Sequence, residues 1–373
     1  MRTAFVAIWA VILSVAFMQT AHGLQTDLIG VRAGLERFPD WTIGLLMAGY
    51  YAGYSSAPFA GHFVIGRLGH VRTVMACVFV AGAVIIAHAL VVTPLAWAAF
   101  RFVSGFVLAL CYVAFESWIN ARVGNALRGR VFSTYIMTQM TTMTLAQYLL
   151  SLGNPRTIGP FVFSAALFAL AAVPVFAGRR GAPAAAPPVP VNLLRLLRSS
   201  PLGALATSLA GTSWAIIGSM GPVYAQRVGF DLNGIALWMG LAMAAGTISQ
   251  FPFGWLSDVF GRRKVIGAIF ALGLAASLGG LWAAGTGASL AVAALAGFAI
   301  FPIYTVSAAH VNDAITEDAR VAAAAGLVLF YGLGSILGAL ACGAAMSALG
   351  PHGFYAALAV TMALGAVLAL RFR

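Results

Sequence analysis

Residues 253–264 read Phe253-Gly254-Trp255-Leu256-Ser257-Asp258-Val259-Phe260-Gly261-Arg262-Arg263-Lys264. This stretch joins two long apolar runs through a loop holding one acid, a glycine and three consecutive bases. A turn so short between two membrane-crossing helices needs the backbone freedom of glycine. The bases are costly to carry across a bilayer, so they fix the loop on the cytoplasmic side.

The rest of the composition agrees. The chain has 373 residues, 61% of them hydrophobic and 8% charged, with a mean hydropathy of +0.95. Soluble domains carry about 25% charged residues, and no soluble core of this size hides so much apolar surface. The apolar runs last about 20 residues or more without the alternation a strand barrel needs. The expected class is therefore an all-α polytopic membrane protein whose first partner is the lipid bilayer. A net charge of +12 would suggest nucleic acid in a soluble chain; here the basic surplus of inner loops accounts for it, and no nucleic acid is expected. Cys77, Cys111 and Cys342 all fall inside apolar runs without metal spacing and read as packing residues. No metal and no cofactor are expected. The chain lacks a phosphate loop, a paired His–Glu metal set and a nucleophile elbow, so it does not read as an enzyme.

Twelve crossings are expected. Arg2, the apolar run Ala4–Met18 and Ala21-His22-Gly23 also fit a secretory signal with its cleavage site. The run continues to about Leu24 or beyond, however, which is long enough to span, and its loss would leave an odd number of helices. The other spans fall near 41–66, 73–93, 95–121, 131–152, 158–177, 201–225, 234–256, 265–284, 288–311, 321–349 and 354–370. Of the 21 Lys and Arg residues, sixteen then lie on the inner side. Four lie outside (Arg32, Arg37, Arg156 and Arg227), and Arg101 lies within a span. That imbalance places both termini in the cytoplasm.

Between Gly178 and Ser200 the sequence turns to Gly-Ala-Pro-Ala-Ala-Ala-Pro-Pro-Val-Pro, a stiff extended spacer. Residues 191–198 follow with apolar and basic residues that suit either a short helix at the inner membrane surface or an extension of the next span. The expected organisation is a six-helix bundle over 1–177, a linker over 178–200 and a second six-helix bundle over 201–373. The bundles repeat: Gly69 and Gly261 lie 192 positions apart (261 − 69), as do Arg72 and Lys264, Asn120 and Asn312, and Arg128 and Arg320. Two such repeats joined on the inner side support alternating access to a site near the midplane.

Residue for residue, the opening loop resembles the signature of the major facilitator superfamily. Gly254, Leu256, Asp258, Gly261, Arg262 and Arg263 match, and Val259 stands where that family usually has a base. The first-half copy, His62-Phe63-Val64-Ile65-Gly66-Arg67-Leu68-Gly69, has Gly66 in place of the acid and Arg67 as the base. Arg101-Phe102-Val103-Ser104-Gly105 is similar to the Arg-any-any-any-Gly signature of proton-coupled facilitators. Glu116-Ser117, Arg128-Gly129-Arg130, Tyr135 and the run Tyr331–Gly338 resemble a poorly characterised bacterial group of the same superfamily, across essentially the whole chain. The resemblance implies a twelve-helix facilitator fold and a secondary transporter working as a monomer.

Ionisable residues inside spans are the candidates for coupling, since each costs several kcal/mol unless paired or hydrated. Arg101 and Glu116 lie on one span, 15 residues and about 22 Å apart along its axis, so they do not pair. In the resembled fold the first and fourth helices line the cavity, which suggests an Asp27–Arg101 interaction for coupling or gating; the alternative is that Arg101 snorkels to the outer interface. Glu116 is either a protonatable group in the cavity or an anchor for Arg67 or Arg72. Asp258 is expected to cap the helix starting near Val131, and Arg262 or Arg263 to pair with Asp313 in closing the inner side. Cavity candidates are Gln19, His22, Tyr50, Tyr54, Gln139, Trp214, Tyr304 and Tyr331. Gln19/His22 and Tyr50/Tyr54 share helix faces, and His22 is of a type that titrates near neutrality.

The expected function is proton-coupled efflux of a small organic solute across a bacterial plasma membrane, because the cavity candidates are largely aromatic and apolar. The alternatives are import of a small organic anion on Arg101, and a non-transporting sensor or assembly partner on a transporter fold.

Overall fold

A computed structural model describes residues 2–179, 193–283, 285–316 and 319–372. The described residues form helices without strands. The first half holds α1 (Arg2–Leu35), α2 (Asp40–Leu90), α3 (Pro94–Arg122), α4 (Asn125–Ala146) and α5 (Gly159–Ala177). After α6 (Leu193–Ser199), the second half holds α7 (Pro201–Ala215), α8 (Gly221–Arg227), α9 (Leu232–Phe260) and α10 (Arg262–Ala283). It ends with α11 (Ala288–Ile300), α12 (Pro302–Asp313), α13 (Arg320–Leu349) and α14 (His352–Arg371).

Ten helical stretches among the described residues are long and apolar enough to cross a bilayer. The segments expected as second and fifth crossings are helical too, within α2 and across α4. They are less apolar because they carry Tyr50, Tyr51, Tyr54, Ser55 and Ser56, and Arg128, Arg130, Thr134, Thr138, Gln139, Thr141, Thr142 and Thr144. Twelve crossings remain our reading of the chain, ten of them carried by length and apolarity. The N-terminal run is one helix to Leu35, two turns beyond Asp27. It is tied into its bundle by Ser14 Oγ donating to Ala171 O (2.7 Å) and by Ser164 Oγ donating to Ala21 O (3.1 Å).

The repeat is visible in the backbone. Gly69 interrupts α2 at φ 74°, ψ 165°, and Gly261 separates α9 from α10 at φ 89°, ψ 137°. Both lie where a Cβ is strained and glycine is at ease. Each loop turns on a single residue, which lets the helical hydrogen bonding resume at once. A different break occurs at Ile216–Met220, a buried π-helical turn between α7 and α8. Pro222 follows it at the start of α8, and proline's missing N–H removes a bond from the regular ladder there.

The chain forms two compact units: Met1–Ile29 with Ala52–Pro188, and Gly30–Tyr51 with Val189–Arg373. The division after Pro188 falls inside the expected linker, whose residues 180–192 lie outside the described ones. By its contacts Gly30–Tyr51, which lies within the expected bundle over 1–177, groups with the second unit. Physical contacts explain this: Gln226 Nε2 donates to Val31 O (3.2 Å), and Trp41 N donates to Ser347 Oγ (2.9 Å). Backbone also approaches backbone, since a Cβ on Gly44 would stand 2.6 Å from Ala339 O. The short basic helix is separate from the next span, because Ser200 breaks it from α7 at φ −147°. Leu196 of α6 packs into a cluster with Val311, Ala323 and Leu327.

Within the second unit, α7 and α13 touch at backbone distance. A Cβ on Gly334 would lie 1.8 Å from Ser208 O, and one on Gly338 would lie 2.3 Å from Thr212 O. Thr212 Oγ1 donates to Gly334 O (3.0 Å) and Ser335 Oγ to Gly211 O (3.1 Å). Small residues that let helices meet, with hydroxyls bridging them, are how helices associate in lipid, where no hydrophobic force separates helix from tail. The Tyr331–Gly338 run therefore builds a helix contact. We predict that Gly334→Ala lowers the thermal midpoint of the purified protein, an overpacking effect of about 1–3 kcal/mol. Gly254→Ala, whose Cβ meets nothing within 4 Å, should leave the midpoint unchanged in the same fluorescence-monitored melt.

Candidate functional site

In the first unit four helices bring polar side chains to one place. Tyr112 and Glu116 sit one turn apart on α3, and Tyr135, Gln139 and Met143 sit at successive turns of α4, so each set shares a helix face. Tyr112 donates its hydroxyl to Gln19 Oε1 of α1 in a short hydrogen bond, and Gln19 Nε2 lies 4.0 Å from Met143 Sδ. The Tyr54 ring of α2 stands 6.1 Å from that of Tyr112. Tyr135 is buried beside Gln139, close enough to Glu116 and Tyr54 for charge on either to act on it. Glu116 itself is exposed. The expected anchoring of Glu116 by Arg67 or Arg72 is not found. None of the four ion pairs among the described residues includes Glu116, and the Arg67 guanidinium lies over the Phe63 ring at 4.1 Å.

Toward the other end of α3 lies a buried polar group. Arg101 is 0% exposed and its charge reaches the imidazoles of His22 and His88. Gln25 Nε2 donates to Ser104 Oγ nearby (3.1 Å). Asp27 is 1% exposed, its Oδ2 has no hydrogen-bond partner, and it joins none of the four ion pairs. The expected Asp27–Arg101 pair is therefore absent here. The physical reason is the length of α1: Asp27 is interior to the helix and not at its end, so its direction is set by the helix face it occupies. Arg101 is enclosed by protein and does not snorkel to an interface.

In the second unit the remaining candidates form aromatic pairs. Trp214 meets Phe301 edge-on at 4.9 Å between centroids, and Tyr304 meets Tyr331 at 5.4 Å. Gln250 links the same region, accepting from Thr305 Oγ1 (2.8 Å) and donating to Phe301 O (3.2 Å). Tyr50 departs from expectation. It is buried against Tyr51 at 5.3 Å and belongs to the second unit, whereas Tyr54, one turn on, belongs to the first. Tyr51 shares a 2.8 Å hydrogen bond with Ser219 of the π-helical turn.

At the loop that opened the sequence reading, one guanidinium serves three partners. Arg262 Nη1 lies 2.6 Å from Asp258 Oδ1 and donates to Ser257 Oγ (2.7 Å), while its Nε reaches Asp313 Oδ2 (3.1 Å). Arg263 instead holds the end of α14, donating to Ala369 O and Leu370 O. Sequence reading overlooked Asp40 and Arg227, which form an ion pair of 2.8 Å with Arg227 also donating to Phe38 O (3.3 Å). It also overlooked Tyr112 as a lining residue; its spacing of four from Glu116 is the signal that would have found it. Gln250, 55 positions from Thr305, gave no such signal. Among the described residues no group of three or more metal-ligating side chains is present.

The geometry can be set beside known proteins. The family model described as Major Facilitator Superfamily matches residues 3–248 and 203–373. The chain is 25% identical over 320 residues to the uncharacterized MFS-type transporter YcaD of Escherichia fergusonii, covering 85% of this chain and 83% of the relative. YcaD of Escherichia coli O139:H28 matches to the same extent. Among solved structures, the nucleoside transporter NupG superposes with a TM-score of 0.79 at 15% identity over 100% of both chains. A bacterial homologue of the human lysosomal transporter Spinster, inward-facing and unoccupied, gives 0.78 at 15% identity over 98% of this chain and 95% of that one. At such identities the two structures speak for the fold alone.

The Asp40–Arg227 pair carries a prediction of its own. Both side chains are partly exposed (14% and 32%), so Asp40→Asn, Arg227→Gln and their double variant should give a coupling of about 1 kcal/mol or less. Thermal midpoints at low and high salt measure it, and the coupling should shrink as salt screens the pair.

Proposed function

The chain belongs to the major facilitator superfamily, and from that premise we propose that it exports a small organic solute by alternating access, coupled to proton entry. It is a multi-pass membrane transporter and not an enzyme; substrate, direction and coupling are our reading. The observation that carries it is the exposed Glu116 on α3, one turn from Tyr112 and close enough to Tyr135 for its charge to act there. An acid with no ion-pair partner inside a membrane protein is held by water or by what binds it. It exchanges protons more readily than one locked in a salt bridge. The aromatic lining suits an amphipathic solute better than a sugar, which needs many amides and acids. The runner-up, import of an anion on Arg101, is disfavoured because that guanidinium is fully enclosed.

In this reading twelve crossings lie in a bacterial plasma membrane, with both termini in the cytoplasm and the monomer as the working unit. Asp258, Arg262 and Asp313 act at the inner loop through the Arg262 pairs, and these contacts break as the inner side opens. The expected cap by Asp258 of a helix starting near Val131 is not made, since α4 starts at Asn125 with no side-chain hydrogen bond at its N-cap. Asp27 and Arg101 act in coupling through the buried polar group and not through a direct pair.

Everted vesicles acidified inside, loaded with a pH-sensitive acridine dye and challenged with a metabolite and drug library, test the reading. A transported solute should dissipate the pH gradient and restore fluorescence in wild-type vesicles, with loss of the response in Glu116→Gln at equal expression. Undiminished gradient dissipation by Glu116→Gln would remove the carboxylate from the coupling step.

A further inference from the structure

The short helix α6 divides its residues between two faces. With about 3.6 residues per turn, Leu194, Arg195, Arg198 and Ser199 fall on one side and Leu196 on the other. Leu196 is buried and packs with Val311, Ala323 and Leu327, which fixes its side of the helix against α12 and α13. The four residues of the opposite side are all exposed, Leu194 by 56%. They line a groove of about 270 Å³. That is room for a phosphodiester and its first waters, at about 30 Å³ per water. The groove stands at the edge of the apolar layer, because the crossing Pro201–Arg227 begins just past the end of α6.

Its charge is positive, and little along the chain offsets it. Residues 117–230 contain no Asp or Glu. Asp313, two residues beyond Val311 on α12, already faces Arg262 at 3.1 Å. Arg198 joins none of the four ion pairs among the described residues. Arg195 has an interaction within the protein, but a guanidinium carries five N–H donors and one contact does not exhaust them. Ser199 donates its hydroxyl to Arg195 O (2.9 Å), so recognition falls to the two guanidinium groups. Residues three apart on a helix have Cβ atoms about 5–6 Å from one another. One phosphate can bridge that spacing with short, charge-assisted bonds. Leu194 beside them is apolar and bare, which suits acyl chains better than bulk water.

We propose that this face of α6 binds an anionic phospholipid, its headgroup phosphate held between Arg198 and Arg195 and its acyl chains against Leu194. Such a ligand joins a phosphate to hydrocarbon, as the groove joins two bases to a bare leucine. Free phosphate lacks the hydrocarbon, and a zwitterionic lipid brings its own ammonium to offset the charge. The site rests on the fold and not on the transport reading, so it is tested without a gradient.

The test is equilibrium binding of radiolabelled phosphatidylglycerol to the purified full chain in detergent, with phosphatidylcholine and inorganic phosphate as comparisons. Wild type should bind phosphatidylglycerol saturably and about tenfold or more tighter than phosphatidylcholine, and added salt should weaken the binding. Arg198→Gln should weaken it about fivefold, and the double variant Arg195→Gln/Arg198→Gln about twentyfold, as expected for bases at an anionic surface. Arg128→Gln/Arg130→Gln removes two exposed bases from α4 of the first unit and should leave the binding unchanged. Matching melting profiles establish that the variants are folded; should the double variant fail to fold, Arg198→Gln decides. Equal binding of the two lipids, unchanged binding by folded Arg198→Gln, or an equal loss in the Arg128/Arg130 variant would overturn the proposal. Displacement of the lipid by inorganic phosphate at equal concentration would mark a free-anion site and overturn the lipid assignment.

Discussion

In hydrocarbon there is no water to satisfy a backbone N–H or C=O, so each must find its partner within the protein. That demand shapes everything else in this chain. Long helices meet it over most of the described residues, and departures occur only where something takes over the lost bonding. Gly69 and Gly261 turn the chain in a single residue at loops rich in bases. The π-helical turn at Ile216–Met220 is buried, and its Ser219 side chain is bonded to Tyr51. Serine and threonine hydroxyls elsewhere fold back on carbonyls four residues earlier, as Thr134, Thr138 and Thr142 do in succession along α4. Polar side chains can thus be placed within a crossing without leaving their hydrogen bonds open.

The same constraint explains how polarity is distributed. Where helices hold a unit together, glycines let their backbones meet and hydroxyls bridge them, as between α7 and α13. The two stretches that fall short in apolarity, the first part of α2 and α4, supply Tyr54, Tyr135 and Gln139 to the polar face around Glu116. Their reduced hydropathy follows from the polar side chains they present to that face. Arg101 shows the opposite arrangement. Its side chain is fully buried, and its charge reaches the imidazoles of His22 and His88.

The segment Gly30–Tyr51 links these themes. Sequence order puts it in the first repeat, yet the contacts that fix it involve α8 and α13. They combine a partly exposed ion pair, single hydrogen bonds and one close glycine approach. The polar contacts are each worth little on their own.

The sequence by itself determined the class, the membrane setting, the turn at Gly261 and the repeat, because these depend on composition and on spacing along the chain. Apolar run length, the glycine and bases at 261–264 and the 192-residue offset are all local or periodic signals. It also brought Gln19, Tyr54 and Gln139 forward, though not as members of one cluster with Tyr112. Only the tertiary structure decided that Asp27 and Arg101 do not pair, that Glu116 is free of Arg67 and Arg72, and that Tyr50 and Tyr54 part company. It alone joined Asp40 to Arg227 and Gln250 to Thr305. Those outcomes turn on which helix face meets which neighbour, mostly between residues far apart in the chain, and no pattern along the chain encodes the rotation of one helix against another.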